Sequence, residues 1–161
     1  MKTSFKQNLT TLLIFIAIPL AAGAFSALIS MPSSPSVIYA SLEKPPLSPP
    51  ALLFPIVWTI LYILMGISSY LVHKSDSPIK SDALFNYGVQ LFVNILWPLL
   101  FFRFSAILPA LVWLIFLWIL VFHMIRQFTE INHIAGWLQI PYLTWLTFAG
   151  YLNAAIYLLN R

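Results

Sequence analysis

The sequence contains no cysteine. Disulfides, thiolate metal sites and a cysteine nucleophile are therefore excluded. Charge is nearly as scarce, with Asp, Glu, Lys and Arg making up 7% of 161 residues, against about 25% in soluble domains. The four acids are Glu43, Asp76, Asp82 and Glu130, and all fall in expected loops or at helix ends. No acid sits inside an apolar run to act as a proton relay. A nucleophile elbow and a phosphate-binding loop are both missing. Hydrolysis and ion-coupled transport thus lack their usual groups, and no catalytic residue is assigned. His73, His123 and His133 have no metal-ligand spacing. They read as solvated or headgroup-level side chains, and no metal site is expected. The net charge of +4 is scattered and forms no nucleic-acid patch.

What the chain has in excess is apolar surface. Hydrophobic residues make up 61% of it, and the mean hydropathy is +0.91. A bilayer core is about 30 Å thick and takes roughly 20 apolar residues per helix. The expectation is an all-α membrane protein, a five-transmembrane-helix bundle in a single domain over residues 1–161. Its helices are placed at about 9–29, 51–73, 83–102, 105–126 and 135–159. A basic start with Lys2 and Lys6 before an apolar run also fits a signal peptide, but the run is long for one. Gly23 and Ala27 form a small-xxx-small pair that permits close helix approach. Lys2, Lys6, Lys74, Lys80 and Arg126 fall on one side, and Lys44, Arg103 and Arg161 on the other. The excess of basic residues on the first side favours a cytoplasmic N-terminus and an outward first loop. A bacterial cell membrane is the default location.

The stretch from Tyr39 to Tyr62 runs from a polar loop straight into the second helix. Pro45, Pro46, Pro49 and Pro50 fix their own φ and lack donors, so this loop can be neither helix nor strand. Such a loop loses little entropy on ordering and suits a lid, placed at 31–50. Tyr39, Lys44, Pro45, Leu47, Pro49 and Pro50 are its candidate functional residues. Each helix carries one proline: Pro19, Pro55, Pro98, Pro109 and Pro141. Pro55 and Pro109 are expected near helix starts. Pro19, Pro98 and Pro141 are expected deeper, each freeing the carbonyl four residues before it, which in lipid needs another partner.

Three helices offer matching stripes at helical spacing. They are Trp58, Tyr62 and Met65; Gln90, Asn94 and Trp97; and Tyr142, Trp145, Ala149 and Asn153. Polar groups inside a membrane are costly and are read first as functional. They also read as interhelical ties, worth about 0.6 kcal/mol each. The agreement of three stripes favours a pocket of aromatic surface with a few orienting polar tips. Trp113 and Trp118, five apart, lie about 140° from one another around a helix and are expected to face lipid. Trp137 reads as an interface anchor. Leu152, Tyr157 and Arg161 fit a pattern proposed for sterol contact, a weak one.

The residues Tyr39-Ala40-Ser41-Leu42-Glu43-Lys44-Pro45, Pro49-Pro50 and Trp58 resemble the first loop and second helix of the TspO/MBR family. Asn94-Ile95-Leu96-Trp97-Pro98 is similar to its third-helix segment. Pro141-Tyr142-Leu143-Thr144-Trp145, with Phe148-Ala149 and Leu152-Asn153, is similar to its fifth-helix signature. The resemblance implies a five-helix bundle, often a homodimer, with a pocket beneath the first loop. It implies a flat hydrophobic small molecule as partner: porphyrin (protoporphyrin IX or haem), a sterol-like molecule, or synthetic benzodiazepine and isoquinoline ligands. It requires no cofactor. By position it assigns Trp58, Asn94, Trp97, Tyr142, Trp145 and Ala149 to the pocket, and the stripes add Tyr62 and Gln90. Some bacterial members are credited with light-dependent porphyrin breakdown, and facilitated passage of a lipophile is a third reading. Two positions depart from the family pattern. Ile38 and Leu47 stand where tryptophan is usual, which removes aromatic surface from the lid.

Overall fold

In hydrocarbon every backbone polar group needs an internal partner, and the long apolar runs answer by forming helices. The computed structural model describes residues 5–30 and 42–161. Tyr39, Ile38 and the first part of the lid loop lie outside them. The described elements are α1 (Phe5–Ser30), α2 (Leu53–His73), α3 (Lys80–Pro98, continued by a π turn at Leu99–Arg103), α4 (Ile107–Ile131), α5 (His133–Trp137) and α6 (Ile140–Leu159). Five spans are long and apolar enough to cross a membrane, α5 and α6 together forming the fifth. The chain is an integral, multi-pass membrane protein. Its outward side chains, among them Leu13, Ile18, Phe25, Phe92, Ile115 and Ile119, are exposed and apolar, as lipid contact requires.

The main interior cluster is built largely from α2, α3, α4 and α6, with Met65, Leu117, Met124, Phe128, Tyr142 and Leu146 among its members, and Phe101, Ala110 and Ile156 form a second, smaller one. α1 lies against α2 and α3 and buries only Pro19, Ser26 and Ser30. Gly66 lets α1 and α2 touch backbone to backbone: a Cβ there would stand 2.5 Å from the Ile16 Cα. Of the small pair on α1, Gly23 faces the Tyr62 ring while Ala27 is exposed.

Several boundaries differ from expectation for visible reasons. α1 is already helical at Phe5, the first described residue, a turn before the predicted start. α4 runs on to Ile131, so the expected polar loop at 127–133 is largely helix. Met124 and Phe128, four apart, are both fully buried, and Gln127 Oε1 accepts from Asn86 Nδ2 at 2.7 Å. Packing on one face thus overrides polarity on the other. The fifth span is broken at 138–139, with Asn132 capping α5 by accepting from the Ala135 N–H at 3.1 Å. Pro141 therefore lies in the first turn of α6, where a missing donor is harmless, and not deep in a helix.

Pro98 ends the α-helical part of α3, and the next turn widens to π geometry, with Phe104 N–H donating to the Leu99 carbonyl at 3.0 Å. Side chains meet the carbonyls near this disruption. Trp113 Nε1 donates to Val93 O at 2.8 Å, and Ser26 Oγ donates to Ile95 O at 2.8 Å. Trp118 Nε1 donates to Thr147 Oγ1 at 2.9 Å. Trp113 and Trp118 are therefore ties to α3 and α6, not purely lipid-facing side chains. Ser105, at φ 51°, takes a left-handed conformation unusual for a residue with a Cβ and turns the chain into α4.

Candidate ligand cavity under the lid loop

The lid, the start of α2, the π turn and the end of α6 meet at one end of the bundle. Between them lies a partly enclosed cavity of about 330 Å³, at the small end of the range for ligand pockets. Four elements build its wall: Lys44, Ser48 and Pro49 from the lid; Ala51 and Phe54 from the entry to α2; Trp97, Phe101 and Phe102 from α3 and the π turn; and Ala149, Leu152, Asn153 and Ile156 from α6.

The π turn explains the aromatic side of the wall. In an α-helix, residues five apart lie about 140° from one another, so Trp97 and Phe102 would diverge. Hydrogen bonds from i to i+5 bring such residues round to one face. Trp97 stacks on Phe101 with centroids 5.3 Å apart and meets Phe102 edge-on at 6.0 Å. Trp97 Nε1 donates to Ala110 O at 3.1 Å, which fixes the indole. On the opposite wall, the Asn153 amide, with its nitrogen toward α4, donates to Ile107 O at 2.9 Å and accepts from Leu111 N–H at 3.2 Å.

The stripe residues divide into two groups. Trp97 and Ala149 line the cavity, as do Lys44 and Pro49 of the lid. Tyr62, Gln90, Asn94 and Tyr142 instead bond to one another below it. Tyr62 OH donates to Asn94 Oδ1 at 3.0 Å, Asn94 Nδ2 donates to Tyr142 OH at 2.8 Å, and Tyr142 OH donates to Gln90 Oε1 at 3.0 Å. Trp58 covers this chain, 5.4 Å from the Tyr62 ring and 6.1 Å from the Tyr142 ring. Trp145 stands edge-on behind Phe54 at 5.8 Å. These residues form the floor and backing of the cavity rather than its surface. Pro45 is buried and closes a turn, its carbonyl accepting from Ser48 N–H at 3.0 Å. Leu47 is 64% exposed at the tip of that turn, outside the cavity, and Pro50 is exposed as well. Leu152 lines the cavity, but Tyr157 lies five residues further on and does not, so the sterol pattern does not present one face. Trp137 is 70% exposed. Among the described residues no cluster of His, Cys, Asp or Glu could hold a metal ion.

The wall residues absent from the three stripes are Phe54, Phe101, Phe102, Leu152 and Ile156, with Ser48 and Ala51 leading into α2. Phe54 is four residues before Trp58, and Ile156 is seven after Ala149, so continuing two stripes by one turn reaches them. Phe101, four residues after Trp97, is reached in the same way, and only Phe102 needed the π turn.

The hydrogen-bonded floor gives a graded prediction. Tyr142→Phe removes a donor and an acceptor at once, leaving Gln90 Oε1 and Asn94 Nδ2 unpaired. It should cost about 1–3 kcal/mol. Tyr62→Phe strips only one donor from Asn94 and should cost less. Denaturant titration of the protein in detergent, with both variants side by side, checks the order.

The TspO/MBR family profile matches residues 15–159. The chain belongs to the TspO/MBR family. It is 36% identical over 158 residues to the tryptophan-rich protein TspO of Chlorobaculum tepidum, covering 96% of this chain and 98% of that protein. It is 34% identical over 156 residues to the protein CrtK of Rhodobacter capsulatus, covering 96% of this chain and 95% of the other. It is 36% identical over 118 residues to the translocator protein of Bos taurus, covering 71% and 70%. In this TspO/MBR member Lys44, Ser48 and Pro49 of the lid line the cavity, and Trp97 and Ala149 of the family segments reach its surface.

Proposed function

We propose that this TspO/MBR protein is a membrane receptor for flat hydrophobic ligands, porphyrins foremost, held in the cavity beneath the lid. The observation that carries the reading is the aromatic wall of Trp97, Phe101, Phe102 and Phe54 around a partly enclosed space. Rings at such a wall gain about 0.5–1.5 kcal/mol per aromatic contact beyond area burial. The few polar groups on the lid side, Lys44 and Ser48, suit a ligand that is apolar across its plane with polar substituents at its edge. Lys44 stands on the lid side, where an acidic edge group would meet a cation. Tyr62, Asn94, Tyr142 and Gln90 serve the site from below, holding α2, α3 and α6 at the spacing the cavity needs.

The test is a titration with protoporphyrin IX in detergent, read by tryptophan quenching and by thermal unfolding. Saturable quenching is expected, with stabilisation of about 2.7 kcal/mol at one hundred times Kd. Quenching that rises linearly without saturation, and an unfolding midpoint that does not move, would overturn the reading.

A further inference from the structure

One side chain ties the lid to the far end of the chain. Asn160, at the C-cap of α6, accepts from the Glu43 N–H through Oδ1 at 2.9 Å. Its Nδ2 donates to the Glu43 carbonyl at 2.9 Å and to the Ile156 carbonyl of its own helix at 2.8 Å. The amide thus engages both backbone groups of one lid residue, as a neighbouring strand would. The contact joins positions 117 apart in sequence.

Its location matters more than its strength. Lys44, the next residue along the lid, and Ile156, whose carbonyl Asn160 holds, both line the cavity. A single amide therefore spans two walls of the rim. The cavity of about 330 Å³ is small for a four-ring macrocycle, so admitting one requires the lid to move outward. Pro45, Pro46, Pro49 and Pro50 stiffen residues 45–50 of the lid, so releasing Glu43 frees that stretch as a block rather than residue by residue. The bonds at Asn160 are exposed, where water can replace both partners, and such a contact opens reversibly.

We propose that Asn160 is a latch: it holds the lid closed over the cavity and sets the rate at which ligand enters and leaves. The identity of the ligand rests on the receptor reading above, while the latch itself rests on the two bonds to Glu43. A plain helix cap would need only the bond to Ile156, and the test separates the two roles.

Because the chain has no cysteine, Leu152→Cys places a unique thiol on the cavity wall. Its rate of labelling by a small methanethiosulfonate reagent in detergent reports lid opening with no ligand present. In that background Asn160→Ala should speed labelling about tenfold, a loss of about 1.4 kcal/mol from the closed state. Asn160→Asp has the same shape but no donor, and turns an oxygen toward the Glu43 and Ile156 carbonyls. It should speed labelling at least as much. In the chain without the Leu152→Cys change, Asn160→Ala should also speed protoporphyrin IX release severalfold, with faster hydrogen exchange at the Glu43 amide. Labelling at the parent rate in both Asn160 variants would overturn the latch, even if the end of α6 frays. If protoporphyrin IX binds neither parent nor variant, the receptor reading fails, and the labelling rates decide the latch alone.

Discussion

Ala149→Trp is expected to abolish porphyrin binding while leaving the bundle folded. Ala149 lines the cavity from α6, together with Trp97 and the two phenylalanines of the π turn. An indole built there would occupy much of a space of about 330 Å³ and would find aromatic partners already in place. Filling an existing hollow with apolar surface tends to stabilise a protein rather than strain it, so the unfolding midpoint without ligand should hold or rise. Affinity for protoporphyrin IX should fall by more than a hundredfold, which is about 2.7 kcal/mol or more. Trp97→Ala is the complementary change. It enlarges the space but removes the stacking surface, and should weaken binding by about tenfold, since one aromatic contact contributes on the order of 0.5–1.5 kcal/mol beyond its burial. Fluorescence titration of both variants, each with its thermal midpoint, checks the pair. If Ala149→Trp binds as tightly as the parent chain, the ligand does not use this cavity.

How much of this site is legible in the sequence depends on which rule each residue obeys. The stripes on α2, α3 and α6 follow the 3.6-residue period, and their members do converge on one another. Periodicity says which side chains face inward, however, and not which of them are already satisfied. Tyr62, Asn94, Tyr142 and Gln90 face inward and bond to one another, leaving Gln90 Nε2 without a partner, so they close the interior where an open pocket was expected. Open space remains one to two turns nearer the lid, lined by Phe54, Trp97 and Ala149. Phe101, four residues after Trp97, continues the α3 stripe by one turn, but Phe102 was beyond reach because helical spacing places Trp97 and Phe102 on different faces. Only the π turn after Pro98 brings them together. Pro98 itself gave a signal of disruption, but a proline does not say whether the helix will kink, stop or widen.

The fold was more readable, for a plain reason. Five apolar runs of membrane length leave the backbone no alternative to helix, whatever the detail of each residue. The errors fall where that argument weakens, at the ends. At 127–131 the chain is polar enough to read as loop, yet Phe128 is fully buried and one such side chain per turn keeps α4 going. At 138–139 the run is apolar enough to read as continuous helix. The break between α5 and α6 is signalled by Pro141, which has no N–H to bond back to the Trp137 carbonyl four residues earlier.

Gly66→Ala is expected to destabilise the bundle more than any other single added carbon at a glycine of α2 or α3. A Cβ at Gly66 would stand 2.5 Å from Ile16 Cα, 2.7 Å from Phe15 O and 2.9 Å from Ile16 N. All three are backbone atoms, so no rotamer change can make room, and α1 itself must move. Few of its side chains are fully buried. Its buried residues are Pro19, Ser26 and Ser30, and its specific ties include Ser26 Oγ on Ile95 O at 2.8 Å and the Phe15 ring beside His73 at 4.8 Å. Overpacking of this kind costs about 1–3 kcal/mol, and Gly66→Leu should cost more by pushing α1 further out. The internal control is Gly88 on α3, where a Cβ would meet nothing within 4 Å. There an alanine should be neutral or should gain up to about 1 kcal/mol of helix propensity. The same residue change thus has opposite expected signs at two glycines, decided by backbone contact alone. Equal unfolding midpoints for Gly66→Ala and Gly88→Ala in detergent would show that α1 does not rest on α2 at Gly66. The tie from Ser26 to the carbonyl beside Pro98, one turn before the π turn that walls the cavity, would then need another explanation.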